Sequence, residues 1–362
     1  MSYEVRVVGR KSSEATMSGK KEELMPNMLK TFSLIPLFLL LTHSALAHHS
    51  RSIFDQQRTV TIEGTVTRYE WGNPHVHVFV ETESDSREAV VWAFESGTTT
   101  MMRGLGWTKD MLAVGDRVIV EGHPVRFAGR TTAEVVTIQK GGITLVNSDL
   151  EAVGIEGDGQ DAPRAESLNG TWYVYSLTEA RRFNNLDNWS LTAKARDAVA
   201  AYDDLSMNPQ NECGARTSPW LMAFPGVQKI DVGDEVVSIR TEYDTVDRLV
   251  HMDQDSHDGA DYSYQGHSIG WWEGEVLVVD TAKFSDHRIG NARGVPSGPQ
   301  KHLVERFQVN PDGRSLTYSF VLADPEYLSA PYTDAVQSEY RPELGFDPIE
   351  CDLDFARRFI DQ

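Results

Sequence analysis

Histidines lie close to the point where a leader would be removed from this chain. The residues Ala45-Leu46-Ala47 end a short apolar run that begins at Phe32, and His48 follows directly. A basic residue, an apolar stretch and a small-residue A-x-A end are typical of a secretory signal peptide, so cleavage after Ala47 is predicted. Cleavage would give His48 a free amine beside its imidazole, and one residue would then offer a chelating pair of nitrogens for copper.

His75 and His77 are the other candidate ligands in the first half of the chain. They are predicted to share a strand face, because side chains two residues apart point the same way. Together with the two nitrogens of His48, an imidazole from His75 would form a T-shaped site that resembles the histidine brace of copper-resistance proteins and lytic polysaccharide monooxygenases. Tetragonal nitrogen ligation suits Cu(II). We therefore predict copper at His48, His75 and His77; the alternative is that Pro74 and His75 only shape a turn.

A second group of polar residues could support acid–base chemistry. Its members are His251, Asp253, His257, His267, His287, His302 and Glu305. From these we select His267, His302 and Asp253 as candidate catalytic residues, since general acid–base catalysis needs such groups within hydrogen-bond reach of one another. The alternative is a structural role, in which Glu273 and Asp280 cap turns and Arg306 pairs with a carboxylate.

The stretch Gly266-His-Ser-Ile-Gly270 also matches the G-x-S-x-G pattern of a serine nucleophile. That motif needs a strand before the serine and a helix after it. We reject it, because another strand is predicted to follow. Trp271, Trp272 and Tyr264 are instead predicted to line an apolar ligand pocket at a barrel mouth.

The pattern of apolar residues predicts a mainly β protein in two parts. After a leader over residues 1–47, short alternating strands over residues 48–147 predict a small Greek-key barrel of the OB type. Residues 148–166, rich in Gly, Asp and Glu, predict a linker. Residues 167–362 predict a larger lipocalin-like antiparallel barrel of eight strands. One helix is expected within Asn188–Leu205 and another at Leu353–Ile360, near the C-terminus.

Charge and cysteine content narrow the classes of function. A formal net charge of −20 argues against nucleic acid as a partner, since phosphate binding needs a basic surface. In an oxidising compartment Cys213 and Cys351 are expected to form a disulfide, with two buried thiols as the alternative. The apolar run of the leader is too short to span a bilayer, so we predict a soluble periplasmic protein of a Gram-negative bacterium. A single N-terminal anchor is the alternative.

Part of the first half resembles a known family. The segment that begins His48-His49-Ser50, contains Trp71-Gly-Asn-Pro-His75 and ends near Gly115-Asp116 resembles a domain of unknown function in secreted bacterial proteins. Members of that family begin HHS after the signal peptide and carry a W-x-N-P-H motif. The resemblance implies secretion but no known activity.

The second half resembles another uncharacterised secreted family. The resemblance rests on Gly266-His-Ser-Ile-Gly-Trp-Trp-Glu-Gly274 and His302-Leu-Val-Glu-Arg-Phe307. The chain departs from that family's usual pattern at His251, at Gln254-Asp255 and at Glu275-Val276. This second resemblance also implies no known activity.

Three functions are compatible with these patterns. The first, which the sequence favours, is a periplasmic binding protein that holds copper at its mature N-terminus and a small hydrophobic molecule in the second barrel. The second is an enzyme, an isomerase, lyase or hydrolase, that performs acid–base chemistry on a hydrophobic small molecule. The third is a structural or interaction protein of the cell envelope.

Overall fold

Seventeen strands and several short helices make up the described part of the computed structural model, which covers residues 53–83, 88–126, 129–146, 163–174, 182–348 and 350–358. The strands are β1 Val60–Glu70, β2 His77–Glu83, β3 Ala89–Glu95, β4 Arg117–Pro124, β5 Thr132–Lys140, β6 Ile143–Val146, β7 Gly170–Val174, β8 Gly226–Val232, β9 Val236–Thr241, β10 Val246–His251, β11 His267–Glu273, β12 Val276–Ala282, β13 His287–Ala292, β14 Val295–Ser297, β15 His302–Val309, β16 Ser315–Ala323 and β17 Tyr332–Tyr340. The α-helices are Thr99–Gly104, Ala193–Ala201, Asp204–Met207, Trp220–Ala223 and Leu353–Arg357, and 3-10 turns lie at Leu186–Asn188, Pro209–Glu212, Tyr243–Thr245 and Pro342–Leu344.

The first barrel contains strands β1 to β5. The strand order is β3-β2-β1-β4-β5-β6, and a parallel pairing of β3 with β5 closes the first five strands into a ring. Its core is apolar, with Val78, Val80 and Phe94 fully buried. The helix Thr99–Gly104 lies in the chain between β3 and β4. The prediction of a small OB-like barrel is confirmed.

The second barrel is closed by nine strands in the order β10-β11-β12-β15-β16-β17-β7-β8-β9. The prediction of a larger barrel is confirmed, but the count of eight strands and a wholly antiparallel sheet are wrong, because β10 and β11 pair in parallel. The chain between them, residues 252–266, must therefore return from the end of β10 to the start of β11. Strand β12 is buried on both faces, which is what a continuous apolar run such as Val276 to Val279 predicts: Leu277, Val278 and Val279 are at most 1% exposed.

Two predicted helices are present in shorter form. The one expected within Asn188–Leu205 spans Ala193–Ala201 and is capped by Thr192, whose hydroxyl accepts from the Ala195 amide. The C-terminal one begins at Leu353 as expected, and its described part ends at Arg357. The linker prediction falls mostly on residues 147–162, which lie outside the described residues.

A charged pair lies inside the second barrel. Arg248 of β10 donates to Glu305 of β15 through both terminal nitrogens, and the two side chains are at most 4% exposed. Further polar partners complete the network: Ser268, Ser218 and Thr281 accept from Arg248, and Tyr318 donates to Glu305. Burying two charges is costly unless they are paired and fully hydrogen-bonded, and here both conditions are met.

The two barrels contact each other through a buried carboxylate, and a C-terminal segment held by a disulfide adds a further contact. Glu242, which is fully buried, accepts hydrogen bonds from Thr100 and Arg103 of the first barrel at 2.9 Å and 2.7 Å. Cys213 and Cys351 form a disulfide, which confirms the predicted pairing. Just beyond it, the Asp352 amide donates to the Asn73 carbonyl at 3.0 Å, so the C-terminal segment reaches the first barrel.

Breaking the interior ion pair should destabilise the protein strongly. We expect Glu305→Gln to lower the free energy of unfolding by roughly 3–5 kcal/mol, because Arg248 would keep its charge in the core without a counter-ion. Urea denaturation followed by circular dichroism measures the change. Glu273→Gln is the matched control, since Glu273 pairs with Arg306 at the surface and should leave the unfolding midpoint close to that of the wild type. Equal small effects of both changes would contradict the expectation.

Candidate functional site

The candidate site lies on the outer face of the second barrel, where the returning segment crosses it. On β11 and β12 the side chains of Ser268 and Thr281 contact the interior ion pair. Neighbouring residues on a strand point to opposite faces, so His267 and Asp280 point outward. The segment between β10 and β11 carries His257 over these two residues.

Asp280 is the centre of a chain of hydrogen bonds between histidines. Its Oδ1 atom lies 2.8 Å from Nε2 of His257, and its Oδ2 atom lies 2.9 Å from Nε2 of His302. The other ring nitrogen of His257, Nδ1, lies 2.9 Å from Nδ1 of His267. One carboxylate thus organises three imidazoles, two directly and the third through His257.

These contacts determine where the protons of the neutral rings lie. The carboxylate of Asp280 can only accept, so Nε2 of His257 carries a proton and its Nδ1 carries a lone pair. That lone pair requires His267 to donate from its own Nδ1. Nε2 of His267 then has a lone pair of its own and can accept a proton from a substrate.

The environment moves the pKa values of these groups in opposite directions. The hydrogen bond to Asp280 raises the pKa of His302. Burial lowers the pKa of His267, and charge on His257 and His251 lowers it further. Burial alone would raise the pKa of Asp280, but the hydrogen bonds from His302 and His257 outweigh it and lower that pKa. Compared with an ordinary histidine, His302 therefore favours the charged form and His267 the neutral form, as an acid and a base would require.

The surroundings leave this cluster partly open to solvent. The side chains of His257 and Asp280 are 17% and 20% exposed, and that of His302 is 47% exposed. The ring of His251 stacks on His267 with centroids 5.1 Å apart. A small molecule could reach the cluster from solvent, while the stacked ring restricts the orientation of His267.

Other residues singled out in the sequence have different environments. Asp253 is exposed, and the carboxylate beside His302 is Asp280 instead. Glu305 belongs to the interior ion pair.

His287 is buried, contacts the Ala215 carbonyl at 3.1 Å, and has its pKa lowered to about 4 by burial. The ring centroid of Tyr264 lies 5.2 Å from that of His287, and Tyr264 does not line the cleft that Trp271 and Trp272 line.

Trp271 and Trp272 are both about two-fifths exposed and line the same open cleft. The strand β11 continues through them, so Ser268 stands in a strand followed by a turn and another strand. Rejection of the serine nucleophile motif agrees with this arrangement.

The predicted metal ligands of the first barrel are described only in part. His48 lies outside the described residues. His75 is 34% exposed, and its Nδ1 donates to the Ser96 carbonyl at 3.0 Å. His77 is fully buried beneath Phe355, whose ring centroid is 5.6 Å from its own, and burial lowers its pKa to about 3. Among the residues that the structure describes, no group of three or more His, Cys, Asp or Glu side chains is arranged to hold a metal ion.

Comparison with known proteins gives a partial match. Residues 37–134 match a family of unknown function (DUF6152). This match agrees with the resemblance of the first segment to an uncharacterised domain. The motifs quoted for that domain, and the resemblance of the second half to another secreted family, stay predictions. No curated protein and no solved structure matches the chain. Within the described ranges, no helix has the length and apolarity to cross a membrane.

Sequence reasoning missed the role of Asp280, which it considered only as a turn cap in the alternative, structural interpretation. A signal was present, because Asp280 interrupts the apolar run that starts at Val276, and a polar residue on a buried strand usually has a partner. His257 was in the candidate group but was not selected, since nothing in the sequence shows that its segment returns across the barrel.

Removing the charge of Asp280 should lower the pKa of His302. The hydrogen bond to Asp280 is the first cause of the raised pKa, so Asp280→Asn is expected to return the pKa of His302 to that of an ordinary histidine or below it. Titration of the histidine side-chain signals by NMR measures it. Asp253→Asn is the control, because that exposed carboxylate should leave the His302 titration as in the wild type. An unchanged His302 pKa in Asp280→Asn would contradict the described contact.

Proposed function

We propose that this protein is an acid–base enzyme whose site is formed by His267, His257, Asp280 and His302. The observation that supports it most is the Asp280–His257–His267 chain, with distances of 2.8 Å and 2.9 Å. An aspartate behind a histidine holds the ring in one tautomer and stabilises the imidazolium that forms during proton transfer. Here the same arrangement extends over a second ring.

His267 acts as the base. When Nε2 of His267 takes a proton from the substrate, its Nδ1 proton can pass to Nδ1 of His257. The positive charge then resides on His257, directly beside the carboxylate of Asp280. A charge that moves toward its counter-ion costs less than one left on the half-buried His267 ring, so the relay lowers the barrier to proton abstraction.

His302 supplies the acid. Its raised pKa keeps a larger share of the ring protonated near neutral pH than an ordinary histidine would have. Asp280 accepts from Nε2, which leaves the Nδ1 proton for a leaving group or a developing oxyanion. The substrate class that fits is a small hydrophobic molecule with an acidic proton or an activated acyl group, handled by an isomerase, lyase or hydrolase.

Secretion to the periplasm is part of the proposal. The Cys213–Cys351 disulfide supports it, because disulfides persist in oxidising compartments and are rare in the cytosol. The acidic net charge of −20 is compatible with a highly soluble protein there.

Hydrolysis of p-nitrophenyl acetate offers a test of the base. We expect His267→Ala to reduce the catalysed rate by about 100-fold or more, the usual contribution of a positioned base. His257→Gln should also reduce it, because the charge could no longer pass toward Asp280. The pH dependence of the wild-type rate gives a second test. The rate should fall as the pH falls through the lowered pKa of His267, so the loss of activity should occur at a lower pH than the protonation of free imidazole. Release of p-nitrophenol measures these rates.

His123→Ala is the matched control for these variants. His123 belongs to the first barrel, where its Nδ1 contacts the Arg58 carbonyl at 2.7 Å, and its loss should leave the rate unchanged. If His267→Ala and His123→Ala release p-nitrophenol equally fast, the acid–base proposal fails.

Copper binding at the mature N-terminus is a second proposal, and His75 supports it. Its Nδ1–H donates to the Ser96 carbonyl, so Nε2 carries the lone pair on a ring that is one-third exposed. Metal-binding histidines commonly donate their other nitrogen to a carbonyl in this way. The amine and imidazole of His48 would supply the remaining nitrogens. We do not include His77 among the copper ligands, because its side chain is fully buried.

Electron paramagnetic resonance of Cu(II) added to the secreted, N-terminally sequenced protein tests this second proposal. We expect an axial, nitrogen-rich signal with one equivalent of copper. The signal should be lost in His75→Ala and after acetylation of the N-terminal amine, while His123→Ala should keep it. A chain that starts at His48 and shows no such signal would contradict the proposal.

A further inference from the structure

Two tryptophans at one end of the second barrel face solvent. Trp271 and Trp272 are 42% and 43% exposed, an unusual state for adjacent indole rings. They line an open cleft of about 540 Å³ together with Val232, Gly233, Asp234 and Met252. Large apolar side chains exposed in a cleft commonly mark a site for a ligand.

The shape of this cleft is maintained by local hydrogen bonds. The Trp271 indole N–H donates to Glu273 at 3.2 Å. Elsewhere in the lining, the Gly233 amide donates to the Val236 carbonyl at 3.0 Å, and the Met252 amide donates to the Glu235 carbonyl at 2.8 Å. The Trp271 ring and the turn that carries Asp234 are therefore held by hydrogen bonds within the protein.

The charge around the cleft is negative. Asp234 lines it, and Glu235 follows Asp234 in the same exposed turn. The nearby cation Arg306 is already paired with Glu273. Indole faces attract cations through the negative face of the ring, and tryptophan does so best of the aromatic side chains.

We propose that the cleft between Trp271, Trp272 and Asp234 binds a small organic cation of the alkylammonium class. The indoles supply apolar contact and cation–π attraction, and Asp234 supplies the counter-charge. A neutral molecule of the same shape would keep only the apolar contact. This site shares no residue with the proposed acid–base site, so each can fail without the other.

Isothermal titration calorimetry with choline and with its neutral isostere, 3,3-dimethylbutan-1-ol, tests the assignment. We expect choline to bind with one site per chain and more tightly than the alcohol. Trp271→Ala and Trp272→Ala should each weaken choline binding by about 2- to 30-fold, the range of a single cation–π contact. Asp234→Asn should weaken choline binding while leaving that of the alcohol unchanged.

Trp92→Ala and Glu63→Gln are the matched controls, since they remove an indole and an exposed carboxylate from the first barrel. Both should bind choline as the wild type does. Because the cleft tryptophans are exposed, their loss should leave the circular dichroism spectrum intact. No binding of choline, equal binding of choline and the alcohol, or wild-type affinity in both tryptophan variants would each overturn the proposal.

Discussion

The buried pair of Arg248 and Glu305 is the interaction on which the candidate site depends. The guanidinium is bonded to Ser268 of β11 and Thr281 of β12 as well as to the carboxylate on β15. In each of the first two strands the next residue back along the chain, His267 or Asp280, belongs to the outer site. Because side chains alternate across a strand, fixing the inner residue also fixes the outer one. The buried polar network therefore determines which residues of β11 and β12 face outward in the candidate site.

The parallel pair of β10 and β11 is the second constraint. A parallel connection requires the chain to return outside the sheet, and that return places His257 beside Asp280 and His267. If a short hairpin joined these strands instead, His257 would be missing, and His267 would have no hydrogen-bonded connection to Asp280. The topology of the barrel, rather than a local motif, assembles the site.

This dependence on topology explains which parts of the structure the sequence could predict. Alternation and apolar runs predicted both barrels, the short helix at Ala193–Ala201 and the two-sided burial of Leu277 to Val279, because these features follow from local periodicity. The ninth strand, the parallel pair and the role of Asp280 depend on contacts between distant residues. His302 and Asp280 are 22 residues apart, and no pattern within one strand brings them together.

Phe355 and Arg358, near the C-terminus, complete part of the surface of the first barrel. Phe355 covers His77 and packs against Gly72, and Arg358 pairs with Glu70, while the disulfide anchors the same segment to the second barrel. Phe355 and Arg358 are synthesised long after the strands of the first barrel. That barrel therefore cannot reach its final surface until almost the whole chain has been made, and its maturation is tied to that of the second barrel.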